Sequence, residues 1–341
     1  MKKVLYLEKT MKNRIKKAHH CERQSGNLAF LVCKKEKLMD KIKLSNGYEI
    51  PSFCFGTDST SLRSKGMKRK IDNFKCWLKI LIDRNKYYTI KDLYLPQSID
   101  ECMKNGINLF DTSRAYGASE FNLSQNLKNY KRNEYFIVTK VSNAYQFKDS
   151  VEECLEISLK ELETDYVDVY LLHWPVTDHW IKSWKVLEEL YKKGKCKAIG
   201  VCNCNIHHLE ELKKYADIMP MVNEFECHPL FTQNELREYC KNNNIQVMAY
   251  TSTARMDTRL NNTCLSSIAK KYGKTVAQVI LRWHLQIGNI PIVNSTKPNH
   301  IKENANIYNF ELTPEEVSSI TAININSRLR YDPDNCDFTK L

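Results

Sequence analysis

The sequence lacks the patterns that mark several classes of protein. None of its 13 cysteines belongs to a CxxC pair, the spacing of many zinc sites and dithiol enzymes. No run approaches the roughly 18 consecutive apolar residues of a membrane helix, and the apolar patch at residues 4–7 is too short for a signal-peptide core. We therefore expect a protein without a metal site or a membrane partner, in a reducing compartment and by default in the cytoplasm.

Acidic residues are scarce relative to basic ones, since 52 Lys and Arg against 40 Asp and Glu give a net charge of +12. Residues 1–40 contain eleven basic and four acidic residues, and residues 58–95 contain ten and four. The remainder is nearly neutral, unlike the folded reading surface of a nucleic-acid-binding protein, so no specific nucleic acid is expected as a partner. We interpret residues 1–40 as a flexible basic extension, which also leaves organelle targeting open. Binding of acidic surfaces by the two basic segments is a minor alternative.

Short apolar runs alternate with segments of helical i, i+3, i+4 spacing along most of the chain. There are eight such runs, at residues 50–55, 107–110, 135–138, 167–172, 198–201, 221–225, 246–250 and 289–292. Eight strand-helix units in about 250 residues predict a closed (β/α)₈ TIM barrel, in the α/β class, rather than an open sheet. No GxGxxG follows a run, so the usual dinucleotide fingerprint is absent. The predicted barrel spans residues 41–341, with the basic insertion at about 58–95 after the first barrel strand.

Polar residues follow three of the predicted strands, where a barrel of this kind builds its active site. Asp111, with Tyr116 five residues later, follows one strand, Lys140 closes the next and His173 the one after. A tyrosine side chain, whose pKa is ordinarily near 10, is a poor acid by itself. A lysine ammonium beside it favours the phenolate, and a carboxylate keeps that ammonium charged. The four residues together suit protonation of a carbonyl oxygen while another group delivers hydride.

The segments that contain these residues resemble the aldo-keto reductase family. They are GINLFDTSRAYG at residues 106–117, DYVDVYLLHWP at 165–175 and IVNSTKPNHIKEN at 292–304, with further similarity in GKCKAIGVCNCN, VNEFECHP and DPDNCDF. The resemblance runs from about Asp40 to Phe338, apart from the insertion. It implies a catalytic tetrad in which Tyr116 is the general acid, Lys140 lowers its pKa, Asp111 holds Lys140, and His173 orients the carbonyl.

The resemblance also implies that NADPH, with NADH as the alternative, binds without a Rossmann fold. Tyr250 is expected to stack on the nicotinamide and Asn203 to bond its carboxamide. The full set of expected cofactor contacts is Gly56, Thr57, Cys202, Asn203, Glu224, Tyr250, Asn294, Ser295, Thr296, His300, Glu303 and Asn304. The expected substrate contacts are Asp58, Ser142 and Trp174.

Several of these positions depart from the family pattern. Cys202 and Glu224 replace the usual serine and glutamine, and a carboxylate accepts hydrogen bonds but cannot donate one. Asn294 and His300 stand where the family usually has lysine and arginine for the 2′-phosphate, with Lys297 nearby. Losing two fixed cations weakens phosphate recognition, so we expect only a modest preference for NADPH.

The leading functional hypothesis is a monomeric reductase of small aldehydes, dicarbonyls or ketones. The alternative is a cofactor-binding barrel with little turnover that acts as a regulatory or interaction subunit. The intact tetrad favours the enzyme, whereas the basic insertion and the altered cofactor contacts favour the alternative.

Overall fold

A computed structural model of the protein describes residues 39–58, 95–261 and 263–340. Nearly all of the predicted basic extension and of the predicted insertion lies outside these residues, so both assignments stay predictions. No helix within the described ranges is long and apolar enough to cross a membrane.

The described chain forms a closed barrel of eight parallel strands, as the sequence predicts. The strands, with β1 and β2 forming a separate hairpin, are β1 Lys41–Lys43, β2 Glu49–Pro51, β3 Cys54–Gly56, β4 Leu109–Asp111, β5 Phe136–Val141, β6 Val167–Leu172, β7 Cys196–Cys202, β8 Val222–Glu226, β9 Gln246–Tyr250 and β10 Ile290–Val293. Strands β3 to β10 follow one another around the barrel, and β10 pairs with β3 to close it.

Helices connect most of the strands. They are α1 Leu95–Lys104, α2 Ser119–Leu127, α3 Asn143–Phe147, α4 Val151–Glu161, α5 Trp180–Lys192, α6 Ile206–Leu212, α7 Asn234–Asn242, α8 Leu265–Tyr272, α9 Val276–Gln286, α10 Pro298–Ala305 and α11 Pro314–Thr321. Single 3₁₀ turns lie at Arg132–Glu134, Ala254–Met256, Thr258–Leu260 and Phe338–Lys340.

Local sequence explains where several helices begin. Helix α9 starts with a reciprocal cap, in which Thr275 Oγ1 accepts from the Gln278 amide at 3.2 Å and Gln278 Oε1 accepts from the Thr275 amide at 2.9 Å. The apolar faces of the helices pack on the barrel, and Trp184, Tyr170 and Trp283 are among the largest fully buried side chains. The core therefore surrounds the barrel and holds the strand ends in fixed positions.

The prediction of one strand over residues 50–55 is wrong. The structure divides this run between β2, which pairs antiparallel with β1, and β3, which pairs parallel with β4 and β10. Strand β2 ends at Pro51, because the nitrogen of a proline cannot donate a hydrogen bond to a sheet. The Ser52 amide instead donates to the Asp40 carbonyl at 2.8 Å.

The hairpin of β1 and β2 lies at the end of the barrel where the strands begin. Asn46 Nδ2 donates to the Lys197 carbonyl near the start of β7 at 2.9 Å, and the Tyr48 hydroxyl donates to Asp168 near the start of β6 at 2.5 Å. Asp168 is itself fixed by Arg132 at 2.7 Å. The hairpin thus covers this end, and the opposite, carboxyl end carries the candidate site.

Candidate active site

Neighbouring strand ends bring the four predicted catalytic residues together. Asp111 is the last residue of β4, Lys140 is near the end of β5, and His173 directly follows β6. Tyr116 lies in the loop between β4 and α2, and that loop is tied to β5 because the Arg114 amide donates to the Lys140 carbonyl at 3.3 Å.

Lys140 is fully buried among oxygen atoms. Its ammonium contacts the Asp111 carboxylate, donates to the Thr112 carbonyl at 3.1 Å and lies 3.3 Å from Glu224 Oε1. Burial opposes its charge, but Asp111 and Glu224 raise the pKa of Lys140 well above its ordinary value. The lysine is therefore a permanent cation at the base of the site.

The Tyr116 ring lies above this cation. Lys140 Nζ is 5.4 Å from the ring centroid. Burial raises the pKa of Tyr116 well above 10, and the opposing effect of Lys140 is smaller. The predicted lowering by Lys140 is present as one contribution, but burial outweighs it, so the phenol keeps its proton.

His173 packs edge-on against Tyr116, with ring centroids 5.6 Å apart. Burial, Lys140 and Arg330 lower the pKa of His173 well below 6.5, so the imidazole is neutral. Ser113 Oγ lies 3.2 Å from His173 Nδ1 and already accepts from the Ala115 amide. When the serine hydroxyl donates to Nδ1, the imidazole proton lies on Nε2, which is then a donor.

A cavity of about 480 Å³ opens beside these residues. Fifteen of the predicted site residues line it: Gly56, Asp58, Asp111, Tyr116, His173, Trp174, Cys202, Asn203, Glu224, Tyr250, Asn294, Ser295, His300, Glu303 and Asn304. Four do not: Thr57, Lys140, Ser142 and Thr296. Lys140 is fully buried behind the residues that line the cavity. The Thr57 hydroxyl donates to the Asp111 carbonyl at 2.8 Å and therefore does not face the cavity.

Tyr250 and Asn203 hold each other in place. The Tyr250 hydroxyl donates to Asn203 Oδ1 at 2.6 Å, and Asn203 Nδ2 donates to the His173 carbonyl at 3.0 Å. These bonds fix the Tyr250 ring at the cavity wall. They also occupy part of the amide that the sequence assigns to the cofactor carboxamide.

The residues predicted to meet the 2′-phosphate lie at another part of the same cavity. Asn294 Nδ2 donates to the Asp58 carbonyl at 2.8 Å, and Ser295 Oγ accepts from the Lys297 amide at 3.1 Å. His300 is exposed and lines the cavity, whereas Lys297 does not line it. Lys297, predicted as a compensating cation, therefore lies off the wall of this cavity.

Sequence reasoning missed two cations of the cavity wall, Arg255 and Arg330. Arg255 lies in the loop after β9, with a left-handed backbone at φ 53°. Arg330 lies in the C-terminal segment, which Glu226 fixes by accepting from the Leu329 amide at 2.6 Å and from the Arg330 amide at 3.0 Å. Its position two residues before the family-like segment DPDNCDF was the available signal.

His207, His208 and Asp334 form a cluster with metal-like spacing outside the cavity lining. His208 Nδ1 accepts from the Asn205 amide at 3.1 Å, so in the neutral ring Nε2 carries the proton. Asp334 Oδ2 accepts from Asn205 Nδ2 at 2.7 Å, and its Oδ1 lies 3.2 Å from His207 Nε2 and 3.7 Å from His208 Nε2. Asn205 thus holds both His208 and Asp334, and we assign no metal to the cluster.

Comparison with known proteins identifies the family and supports the barrel fold. Residues 85–325 match the aldo/keto reductase family. Glyoxal reductase of Bacillus subtilis (strain 168) is 40% identical over 302 residues, covering 88% of this chain and 99% of its own. Methylglyoxal reductase DkgA of Escherichia coli (strain K12) is 37% identical over 242 residues, covering 70% and 87%.

Solved structures of aldo-keto reductases superpose on this chain. An aldo-keto reductase from a Medee basin deep-sea metagenome library superposes with a TM-score of 0.74 at 32% identity, covering 87% of this chain and 99% of its own. A Bombyx mori aldo-keto reductase in complex with NADP superposes with a TM-score of 0.74 at 28% identity, covering 87% and 96%. The chain belongs to the aldo/keto reductase family, and it is an NAD(P)H-dependent oxidoreductase.

Proposed function

We propose that this protein reduces small aldehydes, dicarbonyls or ketones to alcohols with NADPH, and that Tyr116 is the general acid. The buried Lys140 ammonium, held by Asp111 beneath the Tyr116 ring and beside His173, carries this proposal. Relatives that are glyoxal and methylglyoxal reductases support the substrate class. Solved relatives in complex with NADP or NADPH support the cofactor.

The cavity fits the nicotinamide end of this cofactor. Glu224 Oε2 is buried, and no residue in the described ranges donates a hydrogen bond to it. A carboxamide NH₂ is a donor of the kind that this oxygen lacks. Tyr250 would lie against the ring, and the bound cofactor would supply hydride from its C4 atom.

The four residues divide the proton chemistry among them. Tyr116 donates its proton to the carbonyl oxygen as that oxygen becomes an alkoxide, and His173 Nε2 donates a hydrogen bond to the same oxygen. Lys140 stabilises the phenolate that remains, and Asp111 keeps the lysine oriented. Each contribution is largest in the transition state, which is where stabilisation accelerates a reaction.

NADPH oxidation with methylglyoxal or 4-nitrobenzaldehyde tests this function. We expect Tyr116→Phe to lose about 10²- to 10⁴-fold in turnover, since it removes a general acid. Its NADPH affinity, measured by fluorescence quenching, should be unchanged because the ring remains. Tyr215→Phe, at a tyrosine that is 56% exposed, is the matched control and should behave as wild type.

Wild-type turnover in Tyr116→Phe would remove this mechanism. Tight NADPH binding by the wild-type protein without turnover of any carbonyl would favour the alternative of a cofactor-binding barrel with a regulatory role. The second carboxyl beside Lys140 is the structural feature that favours that alternative.

A further inference from the structure

Two carboxyl groups share one buried ammonium at the base of the site. Asp111 on β4 and Glu224 on β8 both contact Lys140 on β5. The three residues are 3%, 2% and 0% exposed. Glu224 Oε1 is the oxygen that contacts Lys140, and the buried Glu224 Oε2 has no hydrogen-bond partner in the described structure.

The charges of this cluster do not balance when both acids are ionised. One ammonium then faces two carboxylates, which leaves a net negative charge in a site that water hardly reaches. Two adjacent buried carboxyl groups lower this cost when one of them keeps a proton.

No other group facing Glu224 in the described structure supplies the missing positive charge. The titratable groups that influence it or are influenced by it are Asp111, Lys140, Tyr116, Cys54 on β3 and Cys202 on β7. Burial raises the pKa of both thiols and of the phenol, so these three groups are neutral. Burial and then Asp111 raise the pKa of Glu224 to about 8.

We propose that Glu224 holds one proton while Asp111 is ionised, so that Lys140 faces a single negative charge and the Glu224 carboxyl group can donate a hydrogen bond at the cofactor end of the cavity. A protonated carboxyl group has one donor and one acceptor, as a carboxamide side chain does, whereas the ionised group only accepts. Glu224 is thus a positioning residue that acts on Tyr116 through Lys140 and on the nicotinamide through its own proton. This proposal rests on the proposed NADPH-dependent function.

The first test measures NADPH affinity by fluorescence quenching as pH is varied. If the protonated form binds better, the wild-type dissociation constant rises above about pH 8, by up to about tenfold per pH unit. Glu224→Gln keeps a donor at every pH, so this rise should disappear. Glu188→Gln alters a buried carboxylate that contacts Lys185 and the 217–218 backbone. This control should keep the wild-type pH dependence, and parallel curves for wild type and Glu224→Gln would overturn the proposal.

The second test needs no cofactor. The infrared difference spectrum of wild type minus Glu224→Gln at neutral pH should contain the band of a protonated carboxyl group, and this band should fade above about pH 8. Asp111→Asn, which leaves Lys140 to Glu224 alone, should shift its loss to lower pH. Absence of the band overturns the proposal even if NADPH binds and is oxidised. A band in a protein that binds no NADPH would instead contradict the proposed function.

Discussion

At the scale of single residues, the protonation states of the site suit reduction more directly than the residue types alone would suggest. Burial keeps Tyr116 protonated and His173 neutral, while the Asp111 carboxylate keeps Lys140 charged. A protonated phenol is ready to donate, and a neutral imidazole donates a hydrogen bond without repelling Lys140. The site therefore contains a protonated phenol, a neutral imidazole and a cation, which are the states that the proposed carbonyl reduction requires.

Glu224 should also make folding stability depend on pH. Its pKa is about 8 in the folded chain against 4.5 ordinarily. Between these values the folded chain holds a proton that the unfolded chain releases, so the free energy of unfolding falls as pH rises. We expect Glu224→Gln to gain stability relative to wild type across this window and to reach its full gain above about pH 8. Urea unfolding of both proteins at pH values on either side of the window checks this, and a difference independent of pH would contradict it.

His300 offers a test of cofactor selectivity. It lines the cavity and is exposed, whereas the side chain of Asn294 is engaged with Asp58. We expect His300→Arg to tighten NADPH about tenfold and leave NADH nearly unchanged, because one charged hydrogen bond contributes about 1.5 to 3 kcal/mol at best. Titration of both cofactors at one ionic strength measures this. Equal tightening of both would show that His300 does not meet the 2′-phosphate.

At the scale of elements, strands β7 and β8 approach each other closely at Gly200. A Cβ atom there would lie 2.4 Å from the Val222 carbonyl oxygen and 2.7 Å from Leu171 Cδ2. The oxygen belongs to the β8 backbone, which cannot retreat without disturbing the closed barrel.

We therefore expect Gly200→Ala to cost about 1 to 3 kcal/mol or more in the free energy of unfolding, as overpacking does. Gly194→Ala is the control, because its φ is +73° but no atom lies within 4 Å of the added carbon. It should lose only about 1 to 2 kcal/mol from its left-handed backbone. Equal losses in chemical denaturation would mean that β8 adjusts to the methyl group.

The elements predicted from sequence were those with a strong periodic or apolar pattern. The runs at 167–172 and 246–250 coincide with β6 and β9, and the helical apolar spacing that starts at residue 276 lies in α9. The prediction of one strand at 50–55 was wrong because apolar residues continue from the hairpin strand β2 into the barrel strand β3. Pro51 was the overlooked sign that a strand ends there. The hairpin strand β1 was missed because its pattern is short and polar.

Some site residues could be predicted from sequence and others could not. Asp111, Lys140 and His173 were predictable because each lies at or directly after the end of a strand, and the strand ends of a barrel converge. Arg330 and Arg255 belong to loops whose paths depend on tertiary contacts such as that of Glu226 with the C-terminal segment. The contact of Glu224 with Lys140 joins strands that are not neighbours, so no local pattern indicates it.

At the scale of the whole molecule, ten cysteines lie in the described structure, and none forms a disulfide there. Eight are buried, and Cys264 and Cys336 are partly exposed. Burial raises the pKa of the thiols, to about 12 for Cys196 and Cys240, so the reactive thiolate is scarce.

These thiols are natural reporters of where the molecule opens. A reagent that alkylates thiols reaches Cys54 on β3, Cys196 on β7 or Cys240 on α7 only when the surrounding structure separates transiently. We expect mass spectrometry to find Cys264 and Cys336 modified first, and the buried set only at rates that follow local unfolding. If Cys204, which is buried and does not line the cavity, reacts as fast as Cys336, the carboxyl end of the barrel opens far more often than its packing suggests. Labelling with and without NADPH would then map, thiol by thiol, how far a bound cofactor stiffens the barrel.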